Sequence, residues 1–400
     1  MPQTPTNHAA DLQGLGRLAT DAVIGVTDIA ESLHHTIGRS PFPAQPHRLR
    51  RTRGITGFVY RTVRAVTRLV GRGIDGVTSH ASSLATDGTR SPQREAVVAA
   101  LNGVVGDYLA ATNNPLAIDM QFRRDGVPLD ADALREVVGQ SDAPIVVMVH
   151  GLAMNDRQWE RNGHDHGAAL ARDLGATVLY VHYNTGRQIA TNGRQLADLL
   201  ETLADCTARP LQIVGYSMGG LVTRAACHFA QQVAHRWLDQ LDKIIFLGTP
   251  HHGSPLERGG NWIDTLLDTT AYSTPFGRLG KIRSAGITDL RYGQILADGR
   301  QGHDRFRRSA DARTPVPLPT GVRCYAIAGT LAGSPQLGDH FVGDGLVPLK
   351  SGLGVHRQPE LTLPFPSDHR RVARGVGHLD LLSDLEVYTT MRGWLSPASA

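Results

Sequence analysis

Residues 211–220, with the sequence LQIVGYSMGG, decide the fold of this chain. The apolar start of this stretch predicts a buried strand, and the apolar spacing from Leu221 to Ala226 predicts a helix directly after it. Between them lies the pattern G-x-S-x-G, which presents a serine hydroxyl on a sharp strand-to-helix turn. Gly215 and Gly219 have no Cβ atom, so the strand and the helix can approach closely. The stretch therefore predicts Ser217 as an exposed nucleophile.

Strands and helices alternate on both sides of this turn. Apolar runs and helical spacing predict strands at 145–149, 177–182, 243–248, 323–328 and 371–373 and helices at 94–111, 164–174, 190–203 and 379–394. An Asp-Gly turn at residues 125–126 predicts a hairpin between residues 116–122 and 127–129. The alternation is typical of an α/β fold, with a mostly parallel central sheet and helices on both faces.

The N-terminal part of the chain has a different pattern. Helical spacing predicts an acidic amphipathic helix at residues 12–37 and a second helix at 58–70, which carries a stripe of arginines. We therefore predict a helical extension over residues 1–95 and one main α/β domain over 96–400. The basic helix is expected to pair with the acidic one. The alternative is contact of residues 48–72 with an anionic membrane or lipid-body surface.

A long insertion interrupts the alternation at about residues 254–320. It contains helical segments at 262–267 and 287–296 and ends in a proline-rich stretch. Insertions of this length in a compact domain are usually functional. Because this one follows the strand next to the serine turn, we predict a lid over the site.

Composition narrows the classes of function. A net charge of +4 gives no general case for nucleic-acid binding. The three cysteines show neither a metal-binding spacing nor a disulfide framework. The N-terminus lacks the features of a secretory signal, and no apolar run reaches the roughly 18–20 residues of a membrane span. We therefore expect a cytoplasmic protein, with peripheral attachment to a membrane or lipid body as the alternative; its oligomeric state stays open.

A serine nucleophile needs a base, and the base needs a carboxylate that orients it. In a fold of this type both follow the serine, with the acid first. Asp344 lies in VGDGLVP after the strand at 323–328, and His378 lies in GVGHLD after the strand at 371–373. We predict Asp344 as the acid and His378 as the base. The alternative acids are Asp289, Asp339 and Asp368, and the alternative bases are His340 and His369.

The charged oxygen of a tetrahedral intermediate needs preorganised hydrogen-bond donors. One is expected from the backbone N–H of Met218, and the second from the N–H of Leu152 in the loop after the strand at 145–149. Gly151 lets this loop curl inward, and His150 is expected to anchor it. The rim of the site is predicted from His150, Gly151, Asn155, Tyr216, His251 and His252. For Asn155, ordinary loop structure is the alternative.

Five motifs in this order resemble those of the α/β-hydrolase esterases and lipases: VHGL (149–152), GYSMGG (215–220), GTPHHGS (248–254), GDGLVP (343–348) and GHLD (377–380). The chain is similar in particular to GPI inositol-deacylase-like proteins and bacterial triacylglycerol lipases, over residues 144–394. The resemblance implies an α/β-hydrolase fold and a catalytic triad of Ser217, Asp344 and His378. We expect no cofactor and no metal. Some similar lipases hold calcium near the histidine, which makes Asp380 the alternative calcium ligand; otherwise it is expected to begin a helix.

Together these features predict a serine hydrolase that cleaves carboxylic esters or lipids through an acyl-enzyme intermediate. An acyltransferase or a thioesterase with the same triad is the first alternative. The second is a protein that binds a membrane or lipid-body surface through its basic N-terminal helices. No nucleic-acid partner is expected.

Overall fold

The computed structural model describes residues 13, 14, 16, 17, 19, 92–253, 284–290, 293–296, 313–333 and 343–396. By its internal contacts the chain divides into two compact units, Met1–Ser91 with Ala111–Ala117 and Pro92–Ala110 with Ile118–Ala400. In the first unit residues 13, 14, 16, 17 and 19 are helical, and the side-chain amide of Asn114 donates to the carbonyl of Gly14 at 2.9 Å. The rest of the predicted helix at 12–37, the basic helix at 58–70 and residues 48–72 lie outside the described residues. The boundary near residue 95 stays a prediction.

The second unit contains an eight-stranded sheet. Its strands are β1 (Gln121–Arg124), β2 (Val127–Pro128), β3 (Ile145–Val149), β4 (Thr177–His182), β5 (Leu211–Tyr216), β6 (Leu241–Leu247), β7 (Arg323–Thr330) and β8 (Arg370–Arg374). The spatial order is β2-β1-β4-β3-β5-β6-β7-β8, in which β3 to β8 run parallel and β1 is antiparallel to β2 and β4. This mostly parallel sheet confirms the predicted α/β-hydrolase fold.

The predicted hairpin forms the antiparallel edge of the sheet. Asp125 and Gly126 connect β1 to β2 with φ angles of 55° and 74°. Two successive positive φ angles are typical of the type I′ turn, whose twist suits a two-residue hairpin. The Asp-Gly pair therefore acts here as the sequence predicts.

Helices cover the sheet, and none of those described is both long and apolar enough to cross a membrane. They are α1 (Pro92–Ala111), α2 (Ala131–Gly139), α3 (His166–Leu174), α4 (Ile189–Ala204), α5 (Met218–Val233), α6 (Trp237–Gln240), α7 (Ala285–Leu290), α8 (Leu349–Gly352) and α9 (Leu385–Leu395). Short 3-10 turns lie at Asp156–Trp159, Pro359–Leu361, Ser367–His369 and Asp380–Leu382.

Strand β3 shows why both faces of the sheet are covered. All five of its residues are buried, and alternate residues point to opposite faces. Val147 and Val149 belong to a core cluster that includes residues of α4 and α5, whereas Val146 and Met148 belong to one that includes residues of α3 and α9. Each such side chain contributes about 1.5–3 kcal/mol by its burial, so the apolar run specifies a central strand.

Two helices differ from the sequence prediction. The expected helix at 379–394 is a 3-10 turn followed by α9, which begins where the Asp384 carboxylate accepts from the N–H of Val387 at 2.9 Å. The expected helix at 287–296 is α7, which ends at Leu290; Gly293 has a φ of 61°. Local caps and turns, not apolar spacing, set these ends. The insertion at 254–320 is described only in part, so the lid stays a prediction, and the helix at 262–267 lies outside the described residues.

Candidate active site

Ser217 lies on the turn between β5 and α5. Its backbone conformation is one that residues other than glycine rarely adopt. Its φ and ψ are 51° and −120°, and its N–H donates to the carbonyl of Leu247 at 2.8 Å. Such a conformation costs of the order of 1–3 kcal/mol and persists where the surroundings enforce it. Gly219 shows how tight those surroundings are, because a Cβ atom there would lie 2.1 Å from the carbonyl oxygen of Val149. The G-x-S-x-G spacing thus corresponds to a strained, closely packed turn.

The structure brings the three residues predicted for the triad together. His378 Nε2 lies 2.9 Å from the Ser217 hydroxyl oxygen, and His378 Nδ1 lies 2.7 Å from Asp344 Oδ2. All three residues are buried, so the prediction of an exposed Ser217 is corrected. Asp344 follows β7 and His378 follows β8, so the side chains converge from loops after parallel strands, where sites in such sheets form.

Two backbone hydrogen bonds to Asp344 Oδ1 orient the carboxylate, so that Oδ2 faces the imidazole. Asp344 Oδ1 accepts from the N–H groups of Leu346 at 3.0 Å and Val347 at 2.7 Å. The N–H of His378 in turn donates to the Asp344 carbonyl at 2.8 Å. The loop therefore holds Oδ2 on the imidazole and leaves the carboxylate little freedom to rotate.

Tyr216 lies behind the histidine. Its hydroxyl donates to the carbonyl of His378 at 3.0 Å, and the two ring centroids lie 5.1 Å apart. Burial raises the pKa of Tyr216 well above its usual value, so the phenol stays a neutral donor. The structure therefore assigns Tyr216 a supporting position under the imidazole rather than one on an open rim.

The loop after β3 runs beside Ser217. A Cβ atom on Gly151 would lie 3.2 Å from the Ser217 Cβ. Two residues further along, the N–H of Ala153 donates to Thr185 Oγ1 at 3.0 Å. Leu152 and Met218 are buried, and in the described part of the chain their N–H groups have no acceptor. The backbone N–H of a buried residue rarely lacks a partner, so the missing acceptors call for a specific explanation. An oxyanion of the substrate would provide one.

His150 holds this loop from inside the protein. Its Nδ1 lies 2.9 Å from the carbonyl oxygen of Gly151, its ring stacks on Tyr183 with centroids 4.5 Å apart, and the Tyr183 hydroxyl donates to the His150 carbonyl at 2.8 Å. Burial lowers the pKa of His150 to about 3, so the ring is neutral and Nδ1 is the donor to the carbonyl. The Gly151 carbonyl and the Leu152 N–H belong to one planar peptide group, so this bond also fixes the direction of the N–H.

Tyr183 and Thr185 are contacts that the sequence did not reveal. Both lie within three residues of the end of β4, which pairs with β3, and each makes a hydrogen bond to the loop after β3. Polar residues at the end of a buried strand were the available signal. Recognising them required knowing which strand lies next to β3.

Asn155 matches the alternative of ordinary loop structure. Its side-chain oxygen accepts from the N–H of Arg157 at 3.1 Å, and its own N–H donates to Gln158 Oε1 at 2.8 Å. Together these bonds form a capping box at the 3-10 turn Asp156–Trp159.

His251 and His252 lie at another cavity. That cavity of about 120 Å³ is lined by neither Ser217, Asp344 nor His378. His251 packs against Phe246 and Phe365 with centroids 4.9 and 5.6 Å apart, and the N–H of His252 donates to the Ser351 hydroxyl at 3.1 Å. The structure places both histidines at this cavity, and their place on the rim of the serine site stays a prediction.

The rival residues have other partners. Asp289 Oδ2 accepts from the N–H of Ile189 at the start of α4 (2.9 Å), and His369 Nδ1 lies 3.1 Å from the carbonyl of Cys324. Asp368 belongs to the 3-10 turn Ser367–His369. The remaining rivals, Asp339 and His340, lie outside the described residues.

Asp380 begins a 3-10 turn, and its Oδ2 accepts from the N–H of Gly377 at 3.3 Å. No group of three His, Cys, Asp or Glu side chains suited to a metal ion occurs within the described ranges. Calcium needs six to eight oxygen ligands, and Asp380 supplies one candidate carboxylate.

Several known proteins are similar to this chain. The sequence model of a family described as "Domain of unknown function (DUF7379)" matches residues 90–289, which is half of the chain. The triacylglycerol lipases of Pseudarthrobacter phenanthrenivorans and Burkholderia plantarii are each 29% identical over 232 residues; the match covers 52% of this chain and 67% and 60% of those relatives. Among solved structures, the mature lipase BlEst2 of Bacillus licheniformis is 19% identical with a TM-score of 0.42, over 70% of this chain and 98% of that one. The predicted similarity to esterases and lipases is confirmed by the lipase relatives.

Proposed function

The chain belongs to the DUF7379 family, and we propose that it is a carboxylic-ester hydrolase that acts through a covalent acyl-enzyme intermediate. The observation that carries the proposal is the position of His378, whose two ring nitrogens contact the Ser217 hydroxyl and the Asp344 carboxylate at once. The lipase relatives support the same reaction class.

In the first half of the reaction, the Ser217 oxygen attacks the ester carbonyl carbon and His378 Nε2 accepts the hydroxyl proton. The carbonyl oxygen becomes an oxyanion, which accepts from the N–H groups of Leu152 and Met218. Met218 is the first residue of α5, so the positive end of the helix dipole also faces the new charge. When the tetrahedral intermediate collapses, the bond to the alcohol oxygen breaks and His378 gives that oxygen the proton.

In the second half, water attacks the acyl-enzyme, and His378 Nε2 takes a proton from it. The second intermediate collapses to a free carboxylic acid, and the proton returns to the Ser217 oxygen. Asp344 stays ionised throughout. It holds the Nδ1–H of the imidazole and stabilises the positive ring that forms in each half.

Hydrolysis of p-nitrophenyl esters from acetate to palmitate tests the proposal and measures the preferred acyl length. Ser217→Ala is expected to lose nearly all turnover, since it has no nucleophile. Ser367→Ala, which alters an exposed serine, is the matched control and keeps the wild-type rate. A fluorophosphonate probe should modify one site, on the peptide that contains Ser217. Equal turnover by wild type and Ser217→Ala would refute the proposal.

The proposed route uses no metal. Incubation with EDTA followed by gel filtration is expected to leave the rate within about twofold, since each proton transfer uses a side chain of the triad. A rate that falls and returns only with added calcium would instead favour the alternative in which Asp380 contributes to a calcium site.

The arginine-rich stretch at residues 48–72 is expected to pair with the acidic helix at 12–37, and contact with an anionic lipid surface is the alternative. Co-sedimentation with vesicles of phosphatidylserine and phosphatidylcholine measures this contact. A chain that begins at Pro92 is the comparison, because the second compact unit begins there. Equal sedimentation of the two chains would rule out this alternative.

A further inference from the structure

The cavity beside His251 has the features of a built site. Its volume of about 120 Å³ is several times the ~10–15 Å³ that one water needs. Its lining includes Arg224 from α5, His251 from the loop after β6, Arg313 and Glu360. Two of these residues, Arg224 and His251, are almost completely buried.

Arg224 is a buried cation for which no described residue supplies a counter-ion. Its Nη2 donates to the carbonyl of Val316 at 2.5 Å and its Nη1 lies 3.5 Å from His251 Nδ1. Its buried Nε has no acceptor among the described residues. Among the ion pairs of the described residues, none includes Arg224. Burial, and then the charge of Arg313, lowers the pKa of Arg224 to about 10, so it is still protonated at neutral pH. A buried charge is retained at a large cost unless something pairs with it.

His251 adds a second unpaired donor. Burial lowers the pKa of His251 well below its usual value, so the ring is neutral. Because an arginine can only donate, His251 Nδ1 is the acceptor toward Arg224, and the proton lies on Nε2. That nitrogen is buried, and no residue that the structure describes accepts from it.

Arg313 and Glu360 set the remaining charge of the lining. Arg313 is half-buried, and its Nη1 lies 3.4 Å from the His251 carbonyl oxygen and 3.5 Å from that of Gly293, so its charge is held close to the cavity. Glu360 is exposed and supplies a negative charge at the rim. Among the described lining residues, the inner charged side chains, Arg224 and Arg313, are therefore both cations.

We propose that this cavity binds a small oxyanion, a carboxylate or a phosphate group, through Arg224, His251 and Arg313. Guanidinium groups match such anions in geometry and charge, and the buried anion would supply the missing partner of Arg224. The cavity is separate from Ser217, so the proposal does not depend on ester hydrolysis.

Equilibrium dialysis of the full chain with radiolabelled phosphate or acetate tests the proposal, with sodium chloride holding the ionic strength constant. We expect saturable binding of one anion per chain. Tighter binding of phosphate identifies a phosphate-type ligand, and tighter binding of acetate a carboxylate. The same titration with Ser217→Ala should give unchanged affinity, which keeps the result independent of the enzyme activity.

Three variants and a control decide the role of the lining. Arg224→Met, similar in length but uncharged, should weaken binding by about tenfold or more. At the rim, Arg313→Gln should weaken it and Glu360→Gln should tighten it, each by about threefold. Arg135→Gln, which alters an exposed arginine of α2, should change nothing. If Arg224→Met does not fold, the opposite shifts of the two rim variants still test the site. Binding no stronger than that of chloride, or equal affinity in every variant, would overturn the proposal.

Discussion

Asp344→Asn should inactivate the enzyme through the tautomer of His378, not through loss of the fold. The wild-type Asp344 Oδ1 accepts two backbone N–H groups, at 3.0 and 2.7 Å. Only the carbonyl oxygen of asparagine can accept these bonds, so the amide nitrogen must take the place of Oδ2. There it lies about 2.7 Å from His378 Nδ1, the distance of the present bond.

A side-chain amide donates, so Nδ1 can no longer carry the proton and must accept instead. The neutral imidazole then carries its hydrogen on Nε2, the nitrogen that faces the Ser217 hydroxyl at 2.9 Å. In that form it cannot accept the serine proton. The same substitution in a serine protease triad lowers kcat by about 10⁴, which corresponds to a barrier about 5.5 kcal/mol higher. We expect a loss of that order here.

The assay is the kcat of Asp344→Asn with p-nitrophenyl butyrate, alongside urea unfolding of the same variant. Asp289→Asn is the matched control, because Asp289 also accepts a backbone N–H but belongs to α7 and bonds to the start of α4. The control should keep kcat within about threefold. A loss below tenfold in a folded Asp344→Asn, or an equal loss in Asp289→Asn, would refute the assignment of the acid.

Three other substitutions test the remaining parts of the site and fold. His150→Phe keeps a ring against Tyr183 but loses the hydrogen bond to the Gly151 carbonyl. The kcat should fall about 10- to 100-fold with KM nearly unchanged. An unchanged kcat would show that the peptide group between Gly151 and Leu152 needs no such anchor. Gly219→Ala should lower the free energy of unfolding by about 3 kcal/mol in a urea titration. The control is Gly139→Ala, which should not lower it, because a Cβ atom at residue 139 would meet open space. Equal stability of the two variants would contradict the packing argument. Burial lowers the pKa of His166 to about 4, so stability is complete above pH 6.5 and is lost as the pH falls toward 4, by about 3 kcal/mol. His166→Gln should show a smaller difference between the urea midpoints at pH 7 and pH 4.5, and an unchanged difference would remove His166 as the cause.

The fold was largely predictable because its strands carry strong local signals. Strands β3 and β5 are buried on both faces and almost entirely apolar, which distinguishes them from half-exposed strands. Helix ends were less predictable. The apolar residues Leu381 and Leu382 continue the helical pattern of α9, but the Asp384 cap starts the helix only after them. A single carboxylate therefore overrides the spacing of several apolar residues.

The site residues divide in the same way. Ser217, Asp344 and His378 could be proposed from chain order, because each follows a recognisable strand. The anchors of the oxyanion loop could not, since Tyr183 and Thr185 reach it only through the pairing of β3 with β4. Side chains that support a loop from a neighbouring strand leave no motif in the sequence.

The two parts of the GTPHHGS motif (248–254) make contacts at different places in the fold. Its Thr249 hydroxyl donates to the carbonyl of Gly215 at 3.3 Å, and a Cβ atom on Gly220 would lie 2.0 Å from the same hydroxyl. The first part of the motif therefore packs against the serine turn and restricts residue 220 to glycine. Its later part, His251 and His252, turns toward the cavity of Arg224. The Thr249 part of the motif thus stabilises the serine turn. The two histidines line the second cavity.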